Sequence, residues 1–232
     1  ILAANALSTD GPARIVFHIP DTDPNYVDVD LALGGDSEPD AFVISPLSAL
    51  PALTRGSILV DGGSQTLFTD DTNPSGPEIV LDGSTIPVAC SGLHLASDNN
   101  RVHGLNIRRF THYNQNGVLI TGDGNIVTGS LIGTNATGTE VAWNYNGITI
   151  QDASRNRIGG TAAGAGNVVS GNGNGIIITG NTSDGNVVQA NRIGTDRTGF
   201  SVVSDGSTAV NYRGIFINAG SNTLVGGTQP GA

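Results

Sequence analysis

Four aspartates are the residues of this chain whose type and spacing could do chemistry. Asp98, Asp123 and Asp152 each follow a short apolar stretch at comparable positions, and Asp184 continues the series with a slip of spacing. Carboxylates on neighbouring parallel strands lie about 4.8 Å apart, close enough to repel each other or to share a cation. Ca²⁺ takes several oxygen ligands, so three stacked acids and nearby carbonyls could hold it. The unequal spacings favour the alternative, in which each aspartate caps its own turn through side-chain bonds to the backbone.

The same acids could also act on polysaccharides. Hydrolysis uses two carboxyl groups about 5 to 9.5 Å apart with separated pKa values, and stacked aspartates supply such distances easily. The chain has no lysine, so an elimination would need arginine, histidine or tyrosine as its base. His94 lies between Leu93 and Leu95, so alternation along a strand puts it on the outer face, where an acid of the next repeat could make it a general base. A histidine at such a position is more often a solvent-exposed strand residue than a general base.

Aromatic residues gather in two long segments, at about 135–145 and 196–213, which we expect to lie near each other on one side. They include Trp143, the only tryptophan, and two of the four tyrosines, Tyr145 and Tyr212. Aromatic faces suit the apolar side of pyranose rings, so these residues are candidates for carbohydrate binding. Packing against the protein itself is the other interpretation.

These candidates are positioned by a repeat. A glycine followed by a short apolar stretch recurs at gaps of 25, 30, 28 and 39 residues, at Gly92, Gly117, Gly147, Gly175 and Gly214. Periods of this size indicate a solenoid, in which each unit buries its apolar face only by stacking on its neighbours. A second strand follows each stretch, and its leading asparagine predicts a ladder of amide hydrogen bonds along the stack. These asparagines are Asn100, Asn125, Asn156, Asn186 and Asn222.

A third short strand completes each repeat, near residues 105, 130, 167 and 191. Three strands with glycine or asparagine at the corners fit a turn of the solenoid, or coil, of 25 to 30 residues, and successive coils then pair in parallel. The outward positions of the first strand would form one partly apolar row: His94, Leu119, Thr149, Ile177 and Phe216. Because contiguous apolar surface is usually covered, we expect the long loops, a neighbouring domain or another chain to lie on it.

The first part of the chain does not carry the repeat. We therefore expect an N-terminal cap with leading strands over residues 1–55, which protects the open end of the stack, and repeats over residues 56–232. The chain begins without methionine and ends in a motif found inside an earlier repeat, so we expect it to be a fragment of a longer protein.

Three stretches carry a resemblance to a known family. The stretches are residues 156–161 (Asn-Arg-Ile-Gly-Gly-Thr), 166–172 and 193–199. They resemble the right-handed parallel β-helix repeats of large bacterial secreted and cell-surface proteins, within the pectin-lyase-like superfamily. The resemblance covers essentially the whole chain and implies an all-β fold: a right-handed, single-stranded parallel β-helix with three short strands per coil. The superfamily includes pectin and alginate enzymes, phage tailspikes and adhesins, so the fold alone selects no function.

The amino-acid composition excludes several classes of binding partner. A net charge of −10 argues against nucleic acid and anionic membranes, which both require a cationic surface. No stretch approaches the roughly 18 apolar residues of a membrane span. The single cysteine, Cys90, excludes an internal disulfide.

Together these features favour a structural or adhesive module, extracellular or at the cell surface, that presents loops to a polysaccharide or to another surface protein. Calcium is the one cofactor that the aspartates suggest. The alternative is a polysaccharide-active enzyme (a lyase, hydrolase or epimerase) with a groove along the β-helix. A third candidate is a subunit that forms homo-oligomers or filaments by edge or side packing.

Overall fold

The computed structural model describes residues 1–7, 11–27, 40–205 and 211–227, and within them nineteen strands, numbered along the chain, form three sheets. Sheet A consists of β1 (Ala13–Val16), β4 (Ile58–Asp61), β7 (Arg101–His103), β10 (Ile126–Thr128), β13 (Arg157–Gly159), β16 (Val187–Gln189) and β19 (Leu224–Val225). Sheet B consists of β2 (Tyr26–Val27), β3 (Ala41–Ile44), β5 (Ile79–Asp82), β8 (Leu105–Arg108), β11 (Leu131–Ile132), β14 (Val168–Val169) and β17 (Arg192–Ile193). Sheet C consists of β6 (Leu93–Leu95), β9 (Asn116–Ile120), β12 (Asn146–Gln151), β15 (Asn174–Thr179) and β18 (Arg213–Asn218).

From β6 onward the chain passes through sheets C, A and B in turn and then returns to sheet C. The strands pair in parallel with the equivalent strands of the next coil. Among the strand pairs of the described residues, β2 with β3 is the antiparallel exception. Ile148, for example, lies between Val118 of the preceding coil and Ile176 of the following one. The expectation of an all-β chain dominated by parallel pairing is confirmed, and the arrangement is compatible with a β-helix.

The strands of the first 55 residues join the same sheets as the repeats. β1 pairs with β4 in sheet A, and β3 pairs with β5 in sheet B. The described residues contain few helices: α1 (Leu2–Asn5), α2 (Gly63–Thr69) and one 3₁₀ turn (Gly83–Thr85). The sequence pattern did not predict α2, which is a short helix inserted between β4 and β5.

The main apolar core runs through the stack between the three sheets. Because the strands are in register, equivalent residues lie directly above one another, as Ile120, Ile150 and Ile178 do on sheet C. All three are 0% exposed. Full burial of one such side chain contributes about 1.5–3 kcal/mol, which is gained only when the neighbouring coils are present.

A ladder of buried asparagines closes the corner before sheet A. The Oδ1 atom of Asn125 accepts the backbone N–H of Asn100 at 2.8 Å, and that of Asn156 accepts the N–H of Asn125 at 2.7 Å. Asn186 continues the ladder by accepting the N–H of Asn156 at 2.9 Å. The prediction for Asn222 is wrong. Since Leu224 pairs with Val187, the residue equivalent to Asn186 is Thr223, and Asn222 instead binds Asp184.

The other two corners carry ladders of the same kind, which were not predicted from the sequence. Before sheet C, Oδ1 of Asn172 accepts the N–H and the amide of Asn144, and Oδ1 of Asn211 accepts the N–H of Asn172. Before sheet B, Asn167 accepts the N–H of Ser130, and Asn191 accepts that of Asn167. Buried amides therefore satisfy backbone groups that the turns leave without a strand partner.

Replacement of Asn125 by alanine tests the ladder. Asn125→Ala leaves the N–H of Asn100 and the carbonyl of Gly122 without their partner in a buried site. We expect the free energy of unfolding to fall by about 2–4 kcal/mol. Urea unfolding followed by circular dichroism measures it, with the exposed Asn181→Ala as a control that should change stability by no more than about 0.5 kcal/mol. Equal effects of the two variants would contradict the ladder's role.

Candidate functional site

The aspartates lie at the corner between sheets C and A, where they bind the backbone of the next coil. Oδ1 of Asp98 accepts the N–H of Asp123 at 2.8 Å, and Oδ1 of Asp123 accepts the N–H of Ser154 at the same distance. The second oxygen of Asp123 pairs with Arg155 at 2.7 Å. These carboxylates therefore cap turns, although each caps the turn of the following coil instead of its own.

Asp152 does not belong to this column. Asp98 lies three residues before Arg101, and the residue three before the equivalent Arg157 is Ser154. Asp152 directly follows β12 and is exposed. The structure therefore brings Asp98 and Asp123 together and leaves Asp152 apart.

Asp184 does continue the column after Ser154, as the slipped spacing suggested. Its N–H is donated to the Ser154 hydroxyl, and its carboxylate accepts the Ser221 hydroxyl and the Asn222 amide. These two hydrogen bonds lower the pKa of Asp184. Among the described residues, no group of three or more histidine, cysteine, aspartate or glutamate side chains is placed to hold a metal ion.

His94 is on the outer face of sheet C, as its alternation predicts. Its Nε2 lies 2.9 Å from the Thr121 hydroxyl, and its neighbour in the next coil is Leu119. Partial burial lowers the pKa of His94 and so favours the neutral imidazole. Its contact is thus a hydroxyl, whereas a general base paired with an acid would need a carboxylate at this position.

The outward row of sheet C is continuous. The register aligns His94, Leu119, Thr149, Ile177 and Phe216 as direct neighbours along the stack. Except for the buried Thr149, these side chains are partly exposed. The guanidinium of Arg213 lies 4.3 Å from the centre of the Phe216 ring and covers that end of the row.

The two long loops contact each other on the outer side of sheet B, as expected from their spacing. Each forms a small hairpin, closed by the bridges Thr134–Val141 and Thr195–Val202. The N–H of Arg197 is donated to the Gly138 carbonyl at 3.2 Å, which joins the hairpins directly. Residues 206–210 of the second loop lie outside the described residues.

The aromatic candidates lie at the corner between sheets B and C, just before the sheet-C strands. Trp143 and Tyr145 flank the inward Asn144 of one coil, and Tyr212 lies two coils further along. Trp143 is 44% exposed and Tyr212 is 78% exposed. The Tyr145 ring meets the exposed Tyr113 of the preceding coil edge to face, with 5.2 Å between ring centres. We name these four residues the aromatic edge.

A glycine-rich coil interrupts the aromatic edge. The register places Gly173 between Tyr145 and Tyr212, and its backbone bonds to the coils on both sides. A Cβ atom at position 173 would lie 2.6 Å from the Tyr145 carbonyl oxygen, so only glycine fits. Because two strand spacings separate the tyrosines, their backbones lie roughly 10 Å apart with no side chain between them.

No family model, curated protein or solved structure matches this chain. In the described part of the chain, no helix has the length and apolar character needed to cross a membrane. The functional interpretation therefore depends on the geometry of the chain itself.

Two substitutions at Asp98 test whether the acids cap turns. Asp98→Asn keeps an oxygen for the Asp123 N–H and should change the free energy of unfolding by less than about 0.5 kcal/mol. Asp98→Ala removes the acceptor and should cost about 1 kcal/mol. Urea unfolding with and without 5 mM CaCl₂, about fivefold above the Kd of weak extracellular sites, compares them. Equal losses in both variants, together with a calcium-dependent gain in the unsubstituted chain, would favour a cation site instead.

Proposed function

We propose that this chain is a right-handed parallel β-helix of the pectin-lyase-like superfamily, with an N-terminal cap and entry strands over residues 1–55. The three sheets visited in a fixed order and the amide ladders at all three corners support this architecture. When two parallel strands of one sheet are joined by a crossover connection, that connection is almost always right-handed. We further propose a secreted or cell-surface location, where a rigid stack with few charges can serve as a stalk.

We propose that the module is structural and adhesive and that the aromatic edge binds carbohydrate. The observation that carries this proposal is the gap at Gly173 between Tyr145 and Tyr212. Large aromatic side chains normally bury most of their surface, yet Tyr212, the neighbour of Gly173 in the next coil, and Trp143, two residues before Tyr145, are both exposed.

The backbone spacing at this gap leaves room for a sugar ring. A ring held between two aromatic faces requires about 7–8 Å, twice the contact distance between carbon atoms, and the tyrosine backbones lie roughly 10 Å apart. Polar groups for sugar hydroxyls are close by, because the half-buried Asn174 and the exposed Arg213 directly follow Gly173 and Tyr212. The guanidinium of Arg213 is 5.6 Å from the centre of the Tyr212 ring.

Binding is favoured over turnover because the acids and the aromatic edge lie at opposite ends of the sheet-C strands. Tyr145 precedes β12 and Asp152 follows it, a distance of roughly 20 Å along an extended chain. The carboxylates of Asp98 and Asp123 already accept hydrogen bonds from backbone N–H groups. A sugar on the aromatic edge would therefore be held without reaching these carboxylates.

Removal of the aromatic rings tests the proposal. Affinity electrophoresis in gels containing a panel of neutral and acidic polysaccharides should show retardation in at least one. Tyr212→Ala and Trp143→Ala should each weaken that binding roughly threefold to tenfold, since each deletes a stacking face of about 1 kcal/mol. Phe200→Ala is the matched control, because Phe200 is 94% exposed at a hairpin tip outside the aromatic edge.

The same samples separate binding from catalysis and assembly. New reducing ends or unsaturated products that Asp123→Ala abolishes would support the enzymatic alternative. A mass above that of one chain in sedimentation would support self-assembly. Equal retention of Tyr212→Ala, Phe200→Ala and the unsubstituted chain would overturn the aromatic edge as the site.

A further inference from the structure

A second concave site lies at a different corner, between sheets A and B. It is a cleft of about 700 Å³ between the inserted segment 62–78, which contains α2, and the stacked corners of three coils. Gly62 packs directly on the corner below it, where a Cβ atom would lie 1.8 Å from the Gly104 carbonyl oxygen. The insertion is therefore closely packed on the stack at Gly62, and the rest of it lines one side of the cleft.

The floor of the cleft is apolar. Leu131 and Val168 are register partners on the outer face of sheet B and are each 5% exposed. Ala163 and Ala165 line the cleft on the side of the third coil, and prolines of the insertion line it opposite. A cavity of this size with an apolar floor and a few polar groups on its rim is the usual form of a small-ligand site.

The polar rim carries two acids, Asp71 and Glu78, and in the part of the chain that the structure describes neither forms an ion pair with an arginine. Glu78 is 2% exposed, and its carboxyl oxygens accept the Thr66 hydroxyl at 2.8 Å and the Thr72 N–H at 3.0 Å. Burial, and to a smaller degree the neighbouring charge of Asp71, raise the pKa of Glu78 despite these hydrogen bonds. Among the described residues, no arginine lines the cleft, and its remaining titratable group is His103, whose Nδ1 lies 3.2 Å from the Thr128 hydroxyl.

We propose that this cleft binds an amine-bearing ligand. The ammonium group lies against Asp71 and Glu78, and the apolar stem lies on Leu131 and Val168. Charge complementarity selects this class, because an anion would be repelled by two carboxyl groups and, among the described residues, would find no arginine on the rim. A neutral ligand of the same shape would gain only the apolar contact.

Three probes of equal length test this charge preference: n-hexylamine, n-hexanol and hexanoate. Titration into the ¹⁵N-labelled chain at pH 7 should shift the backbone amides of Thr128, Leu131 and Val168 with hexylamine at millimolar concentration. Hexanol should bind roughly fivefold more weakly, in line with the loss of an ion pair worth up to 1 kcal/mol, and hexanoate more weakly still.

Two conservative variants locate the charge. Asp71→Asn alters an exposed side chain and should weaken hexylamine binding roughly twofold to fivefold while hexanol binding stays the same. Glu78→Gln keeps an acceptor for one of its two hydrogen bonds and should also weaken hexylamine binding. Should Glu78→Gln fail to fold by circular dichroism, Asp71→Asn alone decides the outcome. Asp152→Asn, an exposed acid outside the cleft, is the matched control.

Two results would overturn the proposal. Equal affinity for hexylamine and hexanol, with Asp71→Asn and Asp152→Asn both unchanged, would show a cleft that selects only for apolar shape. Hexylamine shifts that spread over acidic residues throughout the chain would show non-specific attraction to a protein of net charge −10.

Discussion

The structure depends on the hydrogen bond between a buried asparagine at each corner and the backbone of the next coil. A strand ends at every corner, so the backbone groups there lose their partners while they remain inside the protein. Asn125, Asn144 and Asn167, each at most 1% exposed, supply the missing acceptors at the three corners. The same side chains donate to carbonyls of their own or preceding turns. Coil geometry is therefore fixed from inside.

Because the buried residues hold the coils together, the stability of the stack depends little on which side chains point outward. Once the inward apolar residues and the corner amides are satisfied, outward positions can vary without disturbing the coils. The outward row of sheet C illustrates this freedom, because successive coils place histidine, leucine, threonine, isoleucine and phenylalanine there. The hairpins use the same freedom, since Ala136 folds back on Val80 and forms a second, small core outside sheet B.

The strands were predictable because glycine, asparagine and short apolar stretches repeat together, and the errors occur where that pattern gives no unique register. Asn222 leads an apolar stretch as Asn186 does, but Leu224 and Val225 are both apolar, so alternation does not decide between two alignments one residue apart. Asp152 lies five residues after Gly147, whereas Asp98 and Asp123 lie six residues after their glycines, and the corner after β12 holds one more residue than the corner after β9. The cleft had no sequence signal, since it depends on where α2 packs.

The placement of charge follows from the same architecture. Asp82 is 2% exposed and accepts hydrogen bonds from Arg108 and Arg109 at 2.9 Å each. Burial alone would raise the pKa of Asp82, but the bonds from Ser84 and Arg108 lower it overall. Here a buried acid is matched by two cations, whereas Glu78 is matched by hydroxyl and amide hydrogens alone. Because buried carboxylates are normally paired with a positive group, the unmatched acid beside an open cleft is the one that an external cation can complete.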